Sequence, residues 1–420
     1  MDLKLKKFFK SHFLKKNGLF VDLPNIKGLK ISTNSANLYK KKKRNDLCLF
    51  YFEDGANHAG VFTKSTAAAE CIKWNKLSKS NKVKALFVNT KNANALTGIQ
   101  GLNSIKKIQK KISNQIKLKD KEFYCASTGV IGERFPIEKI EKKIPDLINK
   151  MKSSSSNIWI KAAKAIMTTD TIAKLSSKSF KIKKQKINIA GIAKGSGMIH
   201  PNMATMLAFI TTNVSIEHNL LTQIVSEVTE ETFNLISVDG DTSTNDSFVV
   251  ISTNKTKKII VDEQDADFKK LHNIILEVAK YLAHAIVRDG EGATKFIKIQ
   301  VCNGQSKLDC KEIAKKIAHS PLIKTAFFAS DPNLGRIMAA IGNAEVSNID
   351  ISKINIYLND YLFAENGALA TSYDEAIANK EMKKEEISLK IDLQNGNASQ
   401  HFYTTDLSYD YVKINAEYRT

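Results

Sequence analysis

Eight polar, glycine-bearing segments interrupt a lysine- and isoleucine-rich chain, and they carry most of the side chains able to do chemistry. In order they are VNTKNANALTG (88–98), ASTGVIGERFP (126–136), IMTTDT (166–171), AKGSGMIHPNMATML (193–207), SVDGDTSTNDS (237–247), RDGEGATK (288–295), KTAFFASDPNLGR (324–336) and DLSYDYVKINAEYRT (406–420). One such segment alone reads as a turn. Eight of them beside strand-like runs read as loops converging on a site. Their chemistry is that of hydroxyls, amides and a few charges. The eight histidines are dispersed, and no Ser–His–Asp order is legible. A mechanism whose nucleophile is activated without histidine must therefore be considered. On pattern alone, Thr205 in MATMLAFITT is either such a nucleophile or one more β-branched strand residue. Two other motifs fail. GSGMIHPN lacks the third glycine of a dinucleotide fingerprint. DGDTSTND lacks the glutamate that closes a calcium loop.

The elements that must position these segments alternate in kind. KALFVNT (84–90), INIAGIA (187–193), MLAFITT (206–212), SFVVIST (247–253) and FIKIQV (296–301) read as strands, from their β-branched and apolar runs. Residues 103–117, 136–151, 157–167, 218–236 and 266–288 have helical periodicity. Runs of both kinds predict an α/β or α+β protein with helices covering sheets.

Composition narrows the function classes. At 420 residues the chain is long enough for two or three domains. No apolar run approaches the roughly 18 residues of a membrane span, and the basic N-terminal stretch lacks a signal-peptide core, so a cytoplasmic protein is expected. Cys48, Cys71, Cys125, Cys302 and Cys310 have no CxxC spacing, and they read as reduced, buried thiols. The net charge of +21 raises nucleic-acid binding as a reading, but only five of the 64 basic residues are arginine. Base readout and bidentate phosphate contacts favour arginine. Residues 1–44 hold 13 Lys/Arg against two Asp, so about half of the excess sits in one basic arm.

All eight segments, in this order, resemble the ornithine acetyltransferase family. KGSGMIHPNMATML resembles its processing signature. The VNxxNANAxTG, STGVIG, TTDT, DGDTSTND, DGEGATK and DPNxGR patterns and the ending YVKINAEYRT are similar too. The departures are few: Lys91 where glycine is usual, Leu334 where tryptophan is common, and Thr405 where cysteine is common. The resemblance implies an α/β fold with a layered helix–sheet–sheet–helix sandwich core, as in N-terminal-nucleophile enzymes, and a smaller α/β domain. It implies self-cleavage between Ala204 and Thr205, giving an alpha chain (1–204) and a beta chain (205–420) that share the core. Thr205 is then the nucleophile, and Thr128 with Gly129 forms the oxyanion hole. Thr168, Lys194, Thr205, Glu291, Asn415 and Thr420 bind substrate. The implied activity is glutamate N-acetyltransfer in arginine biosynthesis. Acetyl passes from N2-acetyl-L-ornithine to Thr205 and then to L-glutamate, without metal or organic cofactor. Some members also take acetyl-CoA as donor, which stays open here. The expected assembly is a heterotetramer of both fragments, with neither nucleic acid nor membrane as partner. Two rivals stand beside this reading. One is a hydrolase or aminopeptidase with the same N-terminal nucleophile. The other is a basic nucleic-acid-binding protein, which would show steep salt dependence.

Overall fold

A computed structural model describes residues 23–40, 43–78, 80–200 and 206–418. The chain divides into two compact units. A core unit lies within 17–234 and 241–286, and a C-terminal unit contains 235–240 and 287–420.

The core unit is built on one sheet of nine strands. These are β1 (Leu29–Asn34), β2 (Leu47–Phe62), β3 (Lys82–Asn89), β4 (Phe123–Ser127), β5 (Lys152–Ser153), β6 (Lys174–Ile182), β7 (Gln185–Lys194), β8 (Leu207–Thr212) and β10 (Ser247–Ser252). The order is β4-β3-β2-β10-β8-β7-β6, with β1 joining β2 to β5. Two short strands, β9 (Ser215–Ile216) and β11 (Ile259–Ile260), pair separately. The helices are α1 (Glu70–Leu77), α2 (Gly98–Ser113), α3 (Ile137–Glu141), α4 (Ile144–Asn149), α5 (Ser156–Ile166), α6 (His218–Glu231) and α7 (Ala266–Arg288).

Strand β2 makes the sheet fold on itself. Its first half pairs with β1 and β3, and its second half pairs with β10. The register breaks between Tyr51 and Ala56, and Gly55 there has φ +75°. A side chain at such a φ is strained, so glycine suits the corner. Alternate residues then serve two cores. Cys48, Phe50, Phe52, Leu86, Val88, Tyr124 and Ala126 face an inner core shared with Ile192, Phe209 and Val249. Phe50 lies 5.9 Å from the Phe209 ring and 6.1 Å from the Trp159 ring on α5, which closes that core. Leu47, Leu49, Ala85, Phe87, Phe123 and Cys125 point the other way, onto α1, α2, α3 and α4. On the opposite sheet layer a Cβ at Gly191 would stand 3.0 Å from Ile210 and 3.1 and 3.2 Å from Leu282 and Val278 of α7, closer than ordinary van der Waals contact. The layering is helix–sheet–sheet–helix. Each fully buried ring contributes about 1.5–3 kcal/mol, and Phe209→Ala would cost about 3–5 kcal/mol through the cavity it leaves.

The C-terminal unit is a smaller α/β body. Its six-stranded sheet runs β15-β14-β13-β16-β12-β17. The strands are β12 (Phe296–Gly304), β13 (Asn355–Leu358), β14 (Tyr361–Glu365), β15 (Ala368–Leu369), β16 (Glu386–Asp392) and β17 (Ala398–Thr405). Helices α8 (Lys307–His319), α9 (Pro321–Ala329), α10 (Leu334–Gly342) and α11 (Glu375–Met382) enclose its core of isoleucines and phenylalanines, and α12 (Tyr409–Ala416) follows β17.

The expected strands at 84–90, 187–193, 206–212, 247–253 and 296–301 are present within a few residues. The helix expected over 136–151 is two helices, α3 and α4. Pro145, in the first turn of α4, has no N–H and its ring clashes with the carbonyl four residues back, so one continuous helix cannot form. The helix expected over 218–236 ends at Glu231, followed by a 3-10 turn at Phe233–Leu235. All five cysteines are free and buried. Among the described residues no helix is long and apolar enough to cross a membrane.

Candidate active site

Three strand and helix ends deliver one polar cluster in the core unit. β7 ends at Lys194, β4 leads into Thr128–Gly129, and the residues just after α5 supply Thr168 and Asp170. The Lys194 ammonium donates to Thr128 Oγ1 at 2.9 Å and to Thr168 Oγ1 at 3.2 Å. An ammonium only donates, so each hydroxyl accepts from it and keeps its own proton free to give. Thr128 is thus oriented as a donor beside a positive charge.

The lysine rests on a buried charge network. Asp170 Oδ1 accepts from Lys174 Nζ at 2.6 Å and from the Gly195 N–H at 2.7 Å, and Oδ2 accepts from the Thr168 N–H at 2.9 Å. Both Asp170 and Lys174 side chains are fully buried. Burial by itself would raise the Asp170 carboxyl. The Lys174 and Lys194 charges and the Gly195 N–H outweigh it and hold the group below the usual carboxylate range. One carboxylate therefore sets the backbone on both sides of the cluster.

The turn at Thr128–Gly129 is held against the NANALTG segment. Thr128 N–H donates to Asn89 O at 3.1 Å, and Val130 N–H donates to Lys91 O at 3.0 Å. Between them, the Gly129 N–H has no hydrogen-bond partner among the described residues. Gly129 has φ +135°, and a Cβ there would meet the Lys91 carbonyl carbon at 2.1 Å, so no other residue fits. Lys91 itself has φ +73°, which accounts for glycine being the usual residue at its position. A hydroxyl donor and an open N–H on adjacent residues can together receive a developing oxyanion.

Asparagines lock these loops together. Asn245 Nδ2 donates to Ala93 O at 2.7 Å and to Ser127 O at 2.9 Å. Ser127 Oγ donates to Asn89 Oδ1 at 2.7 Å, and Asn89 Nδ2 to Asn92 O at 2.9 Å. Next to Asn245, the fully buried Asp246 accepts the Met206 N–H at 3.1 Å. Burial pushes its carboxyl well above the usual range, against the Met206 N–H and the Lys194 charge.

The C-terminal unit holds a second cluster. Glu291 is buried, and its Oε2 accepts from Asn415 Nδ2 at 2.9 Å; the same Nδ2 donates to Tyr411 O at 3.0 Å. The Glu291 loop is tied down by neighbours. Ser408 Oγ donates to Gly292 O at 2.6 Å, and Asp406 Oδ1 accepts the Thr294 and Lys295 N–H groups at 2.8 and 2.9 Å. Gly292, at φ +71°, lets Tyr411 N approach to where a Cβ would stand at 2.4 Å. Beneath, the buried Lys324 ammonium donates to Thr404 Oγ1 at 3.1 Å and to Thr405 O. Burial, opposed by Asp406 and Asp239, brings Lys324 down to about 8.

Of the residues singled out from the sequence, Thr128 and Thr168 are both bonded to Lys194, with Gly129 adjoining, and Glu291 is paired with Asn415. Ala204, Thr205 and Thr420 lie outside the described residues. Sequence reasoning missed Asp170, Lys174, Asn245 and Asp246. The signals were available in TTDT, in the lysine four residues beyond Asp170, and in TSTND. Among the described residues no group of three or more His, Cys, Asp or Glu is placed to hold a metal ion. An open cleft of about 820 Å³ lies elsewhere, between α8, α9 and α10, and is lined by Lys316, His319 and Arg336 among others. It contains no shielded donor pair like that at Thr128–Gly129, so size alone does not mark it as the reacting centre.

Comparison with known proteins agrees along the chain. The sequence profile of the ArgJ family matches residues 31–420. The arginine biosynthesis bifunctional protein ArgJ of Neisseria meningitidis serogroup A is 45% identical over 402 residues, which is 95% of this chain and 97% of its own length. The protein of the same description from Pseudomonas fluorescens is 42% identical over 396 residues, 94% of this chain and 97% of its own. A crystal structure of arginine biosynthesis bifunctional protein ArgJ from Bacillus halodurans is 34% identical, covers 50% of this chain and 97% of its own, and gives a TM-score of 0.48.

Proposed function

The chain belongs to the ArgJ family, and from that premise we propose that it is a self-processing acyltransferase moving acetyl from N2-acetyl-L-ornithine to L-glutamate. The observation that carries the reading is the hydroxyl and open N–H of Thr128–Gly129, oriented by Lys194 at the end of β7, the strand that leads into the processing segment.

In the first step the Thr205 hydroxyl adds to the Ala204 carbonyl carbon. The C–N bond breaks, the nitrogen takes the hydroxyl proton, and an ester joins Ala204 to Thr205 Oγ1. Water hydrolyses the ester, giving the Ala204 carboxylate and restoring the Thr205 hydroxyl beside the α-amine that the shift has freed. An α-amine ordinarily titrates at about 8, so part of such an amine is neutral near pH 7 and can serve as the local base. In the transfer reaction the same hydroxyl adds to the acetyl carbonyl, and its proton passes through the amine to the departing ornithine nitrogen. Glutamate then adds to the acetyl-threonine ester and carries the acetyl group away. Thr128 and Gly129 donate to the oxyanion of each tetrahedral adduct.

Lys194 pairs with the α-carboxylate common to both substrates, with Thr168 beside it. Glu291 holds the δ-ammonium of the donor, while Asn415 and Thr420 add hydrogen bonds. Fragments 1–204 and 205–420 stay associated, because β8 and β10 from the second fragment lie between β2 and β7 from the first. Assembly as a heterotetramer and a cytoplasmic location belong to the same reading. Intact-mass analysis with a paired assay tests it. Two fragments, with acetyl passing to glutamate rather than released as acetate, are expected. A single full-length species in active enzyme, or acetate as the sole product, overturns it.

A further inference from the structure

Asn245 and Asp246 are neighbours in the chain and hold two different parts of the site. The Asn245 amide binds Ser127 O and Ala93 O, the backbone of the two loops that meet at Thr128–Gly129. The Asp246 carboxyl binds the Met206 N–H. Met206 stands at the very start of β8. Its carbonyl accepts the Ser247 N–H at 3.1 Å, which begins the ladder with β10, and on the other side the β7 pairing reaches only to Leu207. No strand therefore takes the Met206 N–H, and the Asp246 side chain does. The mount is rigid, since Asp246 O accepts the Thr63 N–H at 3.1 Å and the residue has no exposed surface.

The second carboxyl oxygen, Oδ2, is buried with no hydrogen-bond partner, and no cation forms an ion pair with Asp246 among the described residues. A bare carboxylate so enclosed would be costly, whereas protonation removes the charge and leaves one neutral O–H, a smaller cost than a buried unpaired charge. Burial also favours the protonated form.

Resting on the functional reading above, we propose that Asp246 is a positioning residue for Thr205. As a neutral acid it anchors the amide that follows Thr205 and so registers the nucleophile against the Thr128–Gly129 donors through the adjacent Asn245. The anchor serves both reactions. The Met206 amide that it holds is joined to Thr205 both before the cut and after it.

The test compares Asp246→Asn with Asp246→Ala. Asparagine keeps an acceptor oxygen of the same reach and a neutral N–H donor in place of the O–H. It should cut and acetylate within about threefold of the parent, whereas alanine, which frees the anchor, should slow both by about a hundredfold, as expected for a misplacement of about 1 Å. In processed enzyme the loss should appear in kcat, with KM for N-acetylornithine little changed. Asparagine as slow as alanine would mean that a charged carboxylate is required. Alanine at parental rates would mean no anchoring; either result overturns the proposal. If the alanine variant does not fold, as judged by the emission of Trp74 and Trp159, the asparagine variant decides alone. A parent protein that cuts itself but makes no acetylglutamate would defeat the functional reading and leave this test intact, because the cutting rates alone report the anchor.

Discussion

The two clusters of site residues are held by different means. In the core unit Lys194 is a buried charge braced by two hydroxyls, and the nearby Asp170 carboxylate is bonded to a second buried lysine and two backbone N–H groups. In the C-terminal unit Glu291 has, among the described residues, one side-chain bond, from Asn415 on a short helix near the chain end, and its loop is steadied mainly through backbone groups. The first arrangement fixes angles and charges where bonds break, because a buried network leaves few alternative geometries. The second leaves a carboxylate oxygen to meet a ligand and costs less to rearrange. The difference predicts that changes in the core unit act on chemical steps in both half-reactions, while changes at Glu291 discriminate between substrates.

The largest effect should come from Thr205→Ala, which removes both the attacking oxygen and the acetyl carrier. Neither fragments nor acetyl transfer should be detected, by intact mass and by acetylglutamate assay; Thr205→Ser should retain some of each. Cutting at the same bond in the alanine variant would place the nucleophile elsewhere. Next, Thr128→Ala should lower single-turnover acetylation of processed enzyme by about 10²–10³-fold, the usual loss for one oxyanion donor. Both half-reactions should fall together, and Thr128→Ser should restore most of the rate. Equal rates in the alanine variant would remove this turn from the chemistry.

Glu291→Gln should be milder and one-sided. It keeps an acceptor for Asn415 and removes the charge. Truncating one partner of a buried charged pair costs about 2–5 kcal/mol, so use of N-acetylornithine should weaken by tens-fold or more. Deacetylation by glutamate, timed on trapped acetyl-enzyme, should suffer less, because glutamate brings no side-chain ammonium. Equal losses in both halves would erase the contrast between the units and make Glu291 a structural or proton-handling residue.

The same contrast governs what was legible in the sequence. Hydrophobic periodicity gave the strands that line the core and most of the helices, because one face of each is buried. It could not show that β2 turns a corner at Gly55, since Glu53-Asp54-Gly55 reads as an ordinary surface turn between two strands. Lys194, Thr128 and Glu291 are candidates through family likeness. Their supports were not legible, because Asp170, Lys174 and Asp246 are polar residues whose burial is decided by tertiary contacts. A helix break at Pro145 should have been visible, since proline in the middle of a helical run carries its own mechanism.

The smallest expected effects are in pH dependence, and they separate the units by pH window, acidic for the core unit and alkaline for the C-terminal unit. Asp170 is held below the usual carboxylate range; burial opposes this, and Lys174 and Lys194 overcome it. Its folded pKa is therefore lower than its unfolded value of about 3.9, so it contributes stability above that pH which is lost as the pH falls further. Lys324 is brought down by burial to about 8 from 10.5. Between these values the folded C-terminal unit binds fewer protons than the unfolded chain, so stability rises with pH there. The uncut Thr205→Ala chain is the right background, because unfolding then involves one polypeptide. Both tryptophans, Trp74 and Trp159, lie in the core unit, so their emission follows that unit during acid titration. For the other unit, Lys324→Met should be compared with its parent by circular dichroism in urea at roughly pH 7.5 and 9.5. The methionine variant loses the bonds to Thr404 and Thr405, so its stability at one pH has no fixed sign. The change between the two pH values does: the parent should gain on the variant as the pH rises. A gap that stays constant would mean that Lys324 keeps its ordinary proton affinity and that the packing beneath Glu291 tolerates a full charge.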